Sequence, residues 1–380
     1  MLKIKKFILF SVLFAICFCA STMAAKYIFV QDASFSISGE VDVKSRSYIN
    51  NIVLRAGYSD TSCTVRDFDG NDISSDQEGI KNFFVENEDV TDDYGNHFVQ
   101  LKKYYINMSQ DDTTGVITYK LSNKKEDDTY FVCPYFLDKD GNEIEYAYYG
   151  KYKGYYDTSA DTKVLRSISG VTPTYSTTID NYRTYARNNG DQYHQTDWCA
   201  VFTAQIMFMC TYKTTDISKA LTYRTFGSET GKGKEILGIE DLVGNGYEDV
   251  DGVVFRTDGS ASLAGSSVSY ADKISDYAAD ITTHQTTLTG ASGSSGNYIS
   301  KMYYSEGQPA LSLFPKEING SSSTYYCDRF NYPSSNRANL VLWGAYSSND
   351  RYGLFYVNCN GTWAHSDGGI GSRLHTKILG

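Results

Sequence analysis

Five histidines (His97, His194, His284, His365 and His375) and the cysteines are the side chains from which a catalytic or metal centre would most readily be built. The histidines stand apart in the chain. None belongs to an HExxH pair, and no serine sits in a GxSxG elbow. Neither a CxxC nor a zinc-type Cys/His spacing occurs. Glu248 and Asp249 are adjacent carboxylates of the kind that acid–base chemistry uses. In the stretch GNGYED (residues 244–249) they are expected instead to accept backbone N–H groups and hold a turn. GSETGKGKE (residues 227–235) offers glycines and lysines to a phosphate but lacks GxxxxGK[ST] spacing and a preceding strand, so it reads as a loop. DFDGND (67–72) and DKDGNE (138–143) begin like calcium loops without the closing glutamate and are expected to be hairpin turns.

The elements that would position any such residues begin after residue 25. Lys3, Lys5 and Lys6 precede a 13-residue apolar run, Phe7 to Cys19, followed by small residues with Thr22-Met23-Ala24 as a cleavage site. The run is short for a membrane span and suits a secretory signal over residues 1–25, so a secreted or cell-surface location is expected. Removing the three lysines moves the formal charge from −10 to −13. Such acidity disfavours nucleic acid, and no direct membrane insertion is expected after cleavage.

Six cysteines remain: Cys63, Cys133, Cys199, Cys210, Cys327 and Cys359. In an oxidising compartment some are expected to form disulfides, with 15 connectivities open. Cys199 and Cys210 share one predicted helix and stand roughly 16 Å apart along it, so they cannot bond to each other.

Residues 26–125 read as one strand after another, separated by Asp-Gly, Gly-Asn and Ser-Asp turns, and predict an all-β, Ig-like sandwich. NKKEDD (123–128) reads as a charged linker. Two strands around Asp140-Gly141-Asn142 follow. A helix places Ile179, Tyr182 and Ala186 on one face and stops at Asn189-Gly190. A second helix places Trp198, Val201, Phe202, Ile206 and Met209 on one face. Beyond Thr214 come long loops with short strands, the arrangement on which binding surfaces are built.

Four ordered segments carry a family resemblance: EYAYYGKYKGYYD (145–157), RTYARNNGDQYHQTDWCAVFTAQIMFMCTYKTTD (183–216), LGIEDLVGNGYEDVDGV (237–253) and residues 343–374. Together they resemble the C-type-lectin-like fold of formylglycine-generating enzymes and of the variable proteins of diversity-generating retroelements, over residues 126–380. The resemblance implies an α+β lectin-like domain with long loops behind the β-sandwich. It implies that His194 packs or hydrogen-bonds at a helix start. The family's Gly-Asn-x-Trp-Glu-Trp stands here as Gly244-Asn245-Gly246-Tyr247-Glu248-Asp249. The oxidase chemistry needs two cysteines close together near the C-terminus. Cys327 and Cys359 are 32 residues apart, so that activity is not expected and a divergent enzyme is the alternative. A phage-derived tail or receptor-binding protein is another. No cofactor is expected, and calcium is open without a ligand motif.

Recognition is what the C-terminal stretch suggests. Of the 26 residues 343–368, 11 are Tyr, Ser, Asn or Asp, types that give rigid contact area and adaptable hydrogen bonds. The resemblance makes this the diversified, ligand-facing segment. Trp343, Tyr346, Ser347, Asn349, Arg351, Tyr352, Tyr356, Asn358, Asn360 and Trp363 are its candidate contacts. Arg373 is expected to be a core-edge hydrogen bonder. The expected function is adhesin-like or receptor-like binding of a protein or glycan on a host or neighbouring cell.

Overall fold

The computed structural model describes residues 47–138, 140–222, 224–255, 260–263, 286–287, 297–304, 312–331, 339–344, 352–361 and 364–379. The chain divides into two compact units, Met1–Ser45 and Arg46–Gly380, and every described residue belongs to the second. The expected signal segment therefore lies outside the described residues. Among the described residues no helix is long and apolar enough to cross a membrane.

In chain order the first elements are β1 (Asn51–Arg55), β2 (Thr64–Arg66), α1 (Gln77–Phe84), β3 (Val85–Thr91), β4 (His97–Lys102), β5 (Tyr105–Gln110), β6 (Ile117–Ser122), β7 (Phe131–Val132) and β8 (Tyr146–Lys153). Then come α2 (Ile179–Arg187), β9 (Tyr193–Gln195), α3 (Trp198–Tyr212), β10 (Glu235–Ile236), β11 (Ile239–Glu240) and β12 (Tyr247–Phe255). Short strands follow: β13 (Ser260–Leu263), β14 (Thr286–Thr287), β15 (Asn297–Tyr298), β16 (Lys301–Met302), β17 (Pro315–Glu317) and β18 (Arg329–Asn331). The last four are β19 (Asn339–Trp343), β20 (Val357–Gly361), β21 (Ile370–Gly371) and β22 (Arg373–Thr376). The protein is mostly β-sheet with few helices.

Three sheets carry the fold. The first runs β2-β1-β6-β5-β7, with alternate residues such as Ile52, Leu54, Ile106, Tyr119 and Leu121 buried on one face. The second runs β3-β4-β8-β22-β9, and the third β14-β13-β12-β19-β20-β18-β15, with β21 parallel to β12. The N-terminal strands β3 and β4 thus do not complete a sandwich with the first sheet. They edge the sheet built on β8, because β4 buries Phe98, Val99 and Leu101 and pairs Phe98–Lys102 with Tyr146–Gly150. Strand pairing and core packing both cross the boundary expected near residue 125.

Helix α3 lies at the centre. Fourteen of its 15 residues are buried, so its apolar surface is not the single expected face but nearly the whole cylinder. Asp197 caps its start by accepting from Ala200 N (2.7 Å), and Lys213, in the left-handed region at φ 54°, ends it. Helix α2 buries Ile179, Tyr182 and Ala186 as its periodicity predicts. The sequence reading has no helix before residue 130, yet α1 forms there. Eight residues are too few to show a helical period, and its signal is the cap: Asp76 accepts from Gly79 N at 2.8 Å.

The two calcium-like stretches are turns of one recurring type. In Asp67–Asn71, Asp92–Asn96 and Asp138–Asn142 the aspartate accepts the backbone N–H four residues on, at 2.8 Å each, and the asparagine side chain donates back to it. The glycine before each asparagine takes positive φ: 87° at Gly70, 79° at Gly95 and 81° at Gly141. Only the Asp92 copy is buried, and there Tyr193 Oη also donates to the carboxylate at 2.8 Å. Asp92→Ala should therefore destabilise by about 2–4 kcal/mol in urea unfolding. Asp67→Ala, at the exposed copy, should cost less than about 1 kcal/mol; equal losses would mean that the buried partners add nothing.

Candidate functional site

Strand β12 turns successive side chains to opposite faces, so Glu248 and Asp249 point apart and cannot act as one carboxylate pair. Glu248 is not in a turn and does not bind backbone N–H groups, as the sequence reading had expected. It is buried in a strand between two cations: Lys153 Nζ lies 2.7 Å and Arg373 Nε 3.2 Å from Oε1, while Thr196 Oγ1 donates to Oε2 at 2.6 Å. Burial alone would raise this carboxyl, but Lys153 and Arg373 outweigh it and hold it at about 2.

Arg373 uses its whole guanidinium. Besides Glu248, its two terminal nitrogens donate to Gly150 O and Lys151 O (3.1 Å each), Glu240 O (3.0 Å) and Asp241 O (2.9 Å). Those partners come from β8, β11 and the residue after it. All five N–H groups are satisfied with no exposed surface. Close strand approach makes this reach available: a Cβ on Gly150 would stand 2.1 Å from Leu374 O.

Beside this cluster Asp251 takes Arg183 bidentately at 2.7 and 2.6 Å. Asp249, on the same face, has no hydrogen bond on either oxygen. Burial and the neighbouring Asp251 push it well above the usual carboxylate range. His194 lies 3.3 Å from the cap residue Asp197 and stacks on His375, whose Nδ1 is 2.9 Å from Tyr135 Oη. Both imidazoles are buried and pulled down by burial, His375 also by His194. These groups are sealed from solvent and serve as scaffold.

The C-terminal segment is fastened to that scaffold. Trp343 Nε1 donates to Leu354 O at 2.7 Å, and Gln205 Nε2 from α3 donates to the same carbonyl at 3.1 Å. Asp328 takes Gly353 N on one oxygen (2.7 Å) and Phe355 N on the other (2.8 Å). Burial pushes Asp328 up to about 7 against those two bonds.

Of the candidate contacts, Trp343 is a core residue. Tyr352, Tyr356 and Asn358 are brought together. Tyr352 sits edge-on to Tyr356 at 4.6 Å, Tyr247 stacks against Tyr356 at 6.1 Å, and Asn358 pairs with Asn331 across parallel strands. Tyr356 is buried; Tyr247, Asn331, Tyr352 and Asn358 around it are half-buried, and Asn331 Oδ1 makes no hydrogen bond. Tyr247 and Asn331 are additions to the expected set. Tyr247 stood in the quoted GNGYED stretch, whereas nothing local marks Asn331. Asn360 lies on β20, while Tyr346, Ser347, Asn349, Arg351 and Trp363 lie outside the described residues.

The cysteines differ from expectation. All six described ones are free and buried. Burial pushes both Cys327 and Cys359 well above an ordinary thiol, which makes them poor thiolate nucleophiles or ligands. The pairing of Phe330 with Val357 places Cys327 before the pair and Cys359 after it. Among the described residues no group of three or more His, Cys, Asp or Glu is placed to hold a metal.

Two outcomes follow for the scaffold. Glu248→Gln leaves two buried cations facing a neutral group and should cost about 3–5 kcal/mol in denaturant unfolding. Because the folded Glu248 titrates below its unfolded value, wild-type stability should fall as pH drops from about 4.5 towards 2, and the variant should lose that dependence. Asp328 has the opposite sign. Its folded form holds the proton more tightly, so its contribution should decline as pH rises from about 4 to about 7; Asp328→Asn should flatten that window in pH-dependent melts. No protein-family model and no curated protein sequence matches the chain.

Proposed function

We propose that the chain is a secreted or cell-surface ligand-binding protein of the adhesin or receptor kind, recognising a protein or glycan through its C-terminal segment. The observation that carries this reading is the patch of half-buried Tyr247, Asn331, Tyr352 and Asn358 around buried Tyr356. Flat tyrosine rings beside amide groups offer stacking area and hydrogen bonds together, which suits sugar rings and protein surfaces alike.

Rigid support favours recognition as well. The patch sits on β12, β18 and β20, and its loop is clamped by Asp328 and Trp343, which keeps the ordering cost of binding low. The lectin-like resemblance gains support from connectivity. The strand opening the resembling region, β8, lies beside the one closing it, β22, and both helices α2 and α3 fall between them in sequence. Glu248, Asp249, His194, His375 and the six described cysteines are all buried.

Tyr247→Ala with Tyr352→Ala should reduce attachment to cells or to a glycan array at least about tenfold while near-ultraviolet circular dichroism stays native. Tyr346→Ala with Trp363→Ala tests the rest of the segment. Undiminished binding by both folded variants would rule out this face.

A further inference from the structure

His375 is the middle member of a row of three side chains laid across one sheet. On the central strand β22 it pairs with Tyr149 of β8 on one flank and with His194 of β9 on the other. Residues opposite one another in a sheet share a face, and here the rings meet. Tyr149 packs edge-on to His375 at 4.4 Å, and His194 stacks on it at 5.5 Å with the planes 28° apart. All three residues are buried.

The hydrogen bonds around the row have fixed directions. Thr196 has a single hydroxyl hydrogen, and it goes to the Glu248 carboxylate at 2.6 Å. The same oxygen lies 3.4 Å from His375 Nε2, so there the imidazole donates. Nε2 therefore carries the ring proton, and Nδ1, 2.9 Å from Tyr135 Oη, accepts the tyrosine's hydrogen. Neutral His375 is one link of a directed chain that runs from Tyr135 through Thr196 to Glu248. A second ring proton would enter at Nδ1 and reverse the bond to Tyr135. It would also enter on the side of the Lys377 ammonium, which lies 3.9 Å from the centre of the Tyr135 ring and donates to Tyr135 O.

We infer that His375 is a proton-operated latch on β22: neutral, it closes the sheet between β8 and β9, and mild acid, by charging it, releases that strand. The two buried imidazoles are not equivalent. His194 Nε2 has Asp197 at 3.3 Å to offset a proton, whereas both nitrogens of His375 are spent on hydroxyls. Asp197 and Glu248 face His375 as anions; Arg373, which shares Glu248 with Lys153, faces it as a cation. Burial, then His194, outweigh the two carboxylates and hold His375 well below an ordinary imidazole. An exposed imidazole titrates at about 6.5, so the opened strand takes up the proton that the closed one refuses. The stabilisation is complete above that pH and is lost as pH falls below it. Between pH 7.5 and 5.0 the opening equilibrium should rise by up to about thirtyfold. Glu248 and Asp197, held well below ordinary carboxylates, stay ionised throughout this window, and the contribution of Asp328 runs the other way.

The test uses the full-length protein. Long-range proton–nitrogen spectra of histidine-labelled protein at pH 7.5 should show His375 as the Nε2–H tautomer. Hydrogen exchange read by mass spectrometry, corrected for intrinsic rates, follows the strand itself. Protection over β22 should fall at least about tenfold from pH 7.5 to 5.0, while β6 of the first sheet changes less than about twofold. His375→Gln, which cannot charge, should keep its β22 protection at pH 5.0. His194→Gln is the second variant, and it should still show the acid loss because His375 remains. The Nδ1–H tautomer, undiminished β22 protection at pH 5.0 or equal losses in both sheets overturns the inference. So does an acid loss that survives in His375→Gln or disappears in His194→Gln.

Discussion

The ion cluster of Glu248, Lys153 and Arg373 is the constraint around which the molecule is arranged. Three charges with essentially no exposed surface are costly to bury, and they persist only when every lone pair and N–H is occupied. Arg373 meets that condition only if β8, β11, β12 and β22 arrive in one register, because its donors end on four of their backbone carbonyls. A hydrophobic substitute of similar volume would tolerate a slipped strand; a fork of five donors does not. The cluster therefore secures alignment between two sheets more than it supplies raw stability.

That alignment reaches the surface through β12. Its first residue, Tyr247, opens the aromatic patch, and the next, Glu248, is locked in the interior. A strand cannot move one without the other. Asp328 and Trp343 do the same for the far side of the patch, converting backbone N–H and carbonyl groups of residues 353–355 into fixed points. The face is shaped from behind by groups that never meet a ligand.

Much of the local structure was legible in the sequence. The periodicity of α2 and the turn character of the Asp-x-x-Gly-Asn stretches follow from neighbouring residues. What was illegible depends on distant partners. Glu248 looks like a turn carboxylate until Lys153 and Arg373, 95 and 125 residues away, are placed beside it. His97–Lys102 looks like any strand of an N-terminal sandwich, and only its pairing with Tyr146–Lys153 assigns it elsewhere. Asn331 joins the patch through the parallel partner Asn358, a neighbour that sequence spacing does not reveal. Trp343 shows the converse: a residue type common in binding loops, turned inward because its indole N–H finds a buried carbonyl.

The place of β22 between β8 and β9 has a kinetic side. Tyr148 pairs with Thr376 and Tyr193 with the same residue from the other flank, so the middle of this sheet stays vacant until the chain beyond residue 372 has been synthesised. Contacts that span more than 200 residues fold slowly and late. Until then the strand that joins β8 to β9 is missing, and Glu248 and Lys153 lack their arginine. A chain still on the ribosome is thereby kept from completing the native sheet early.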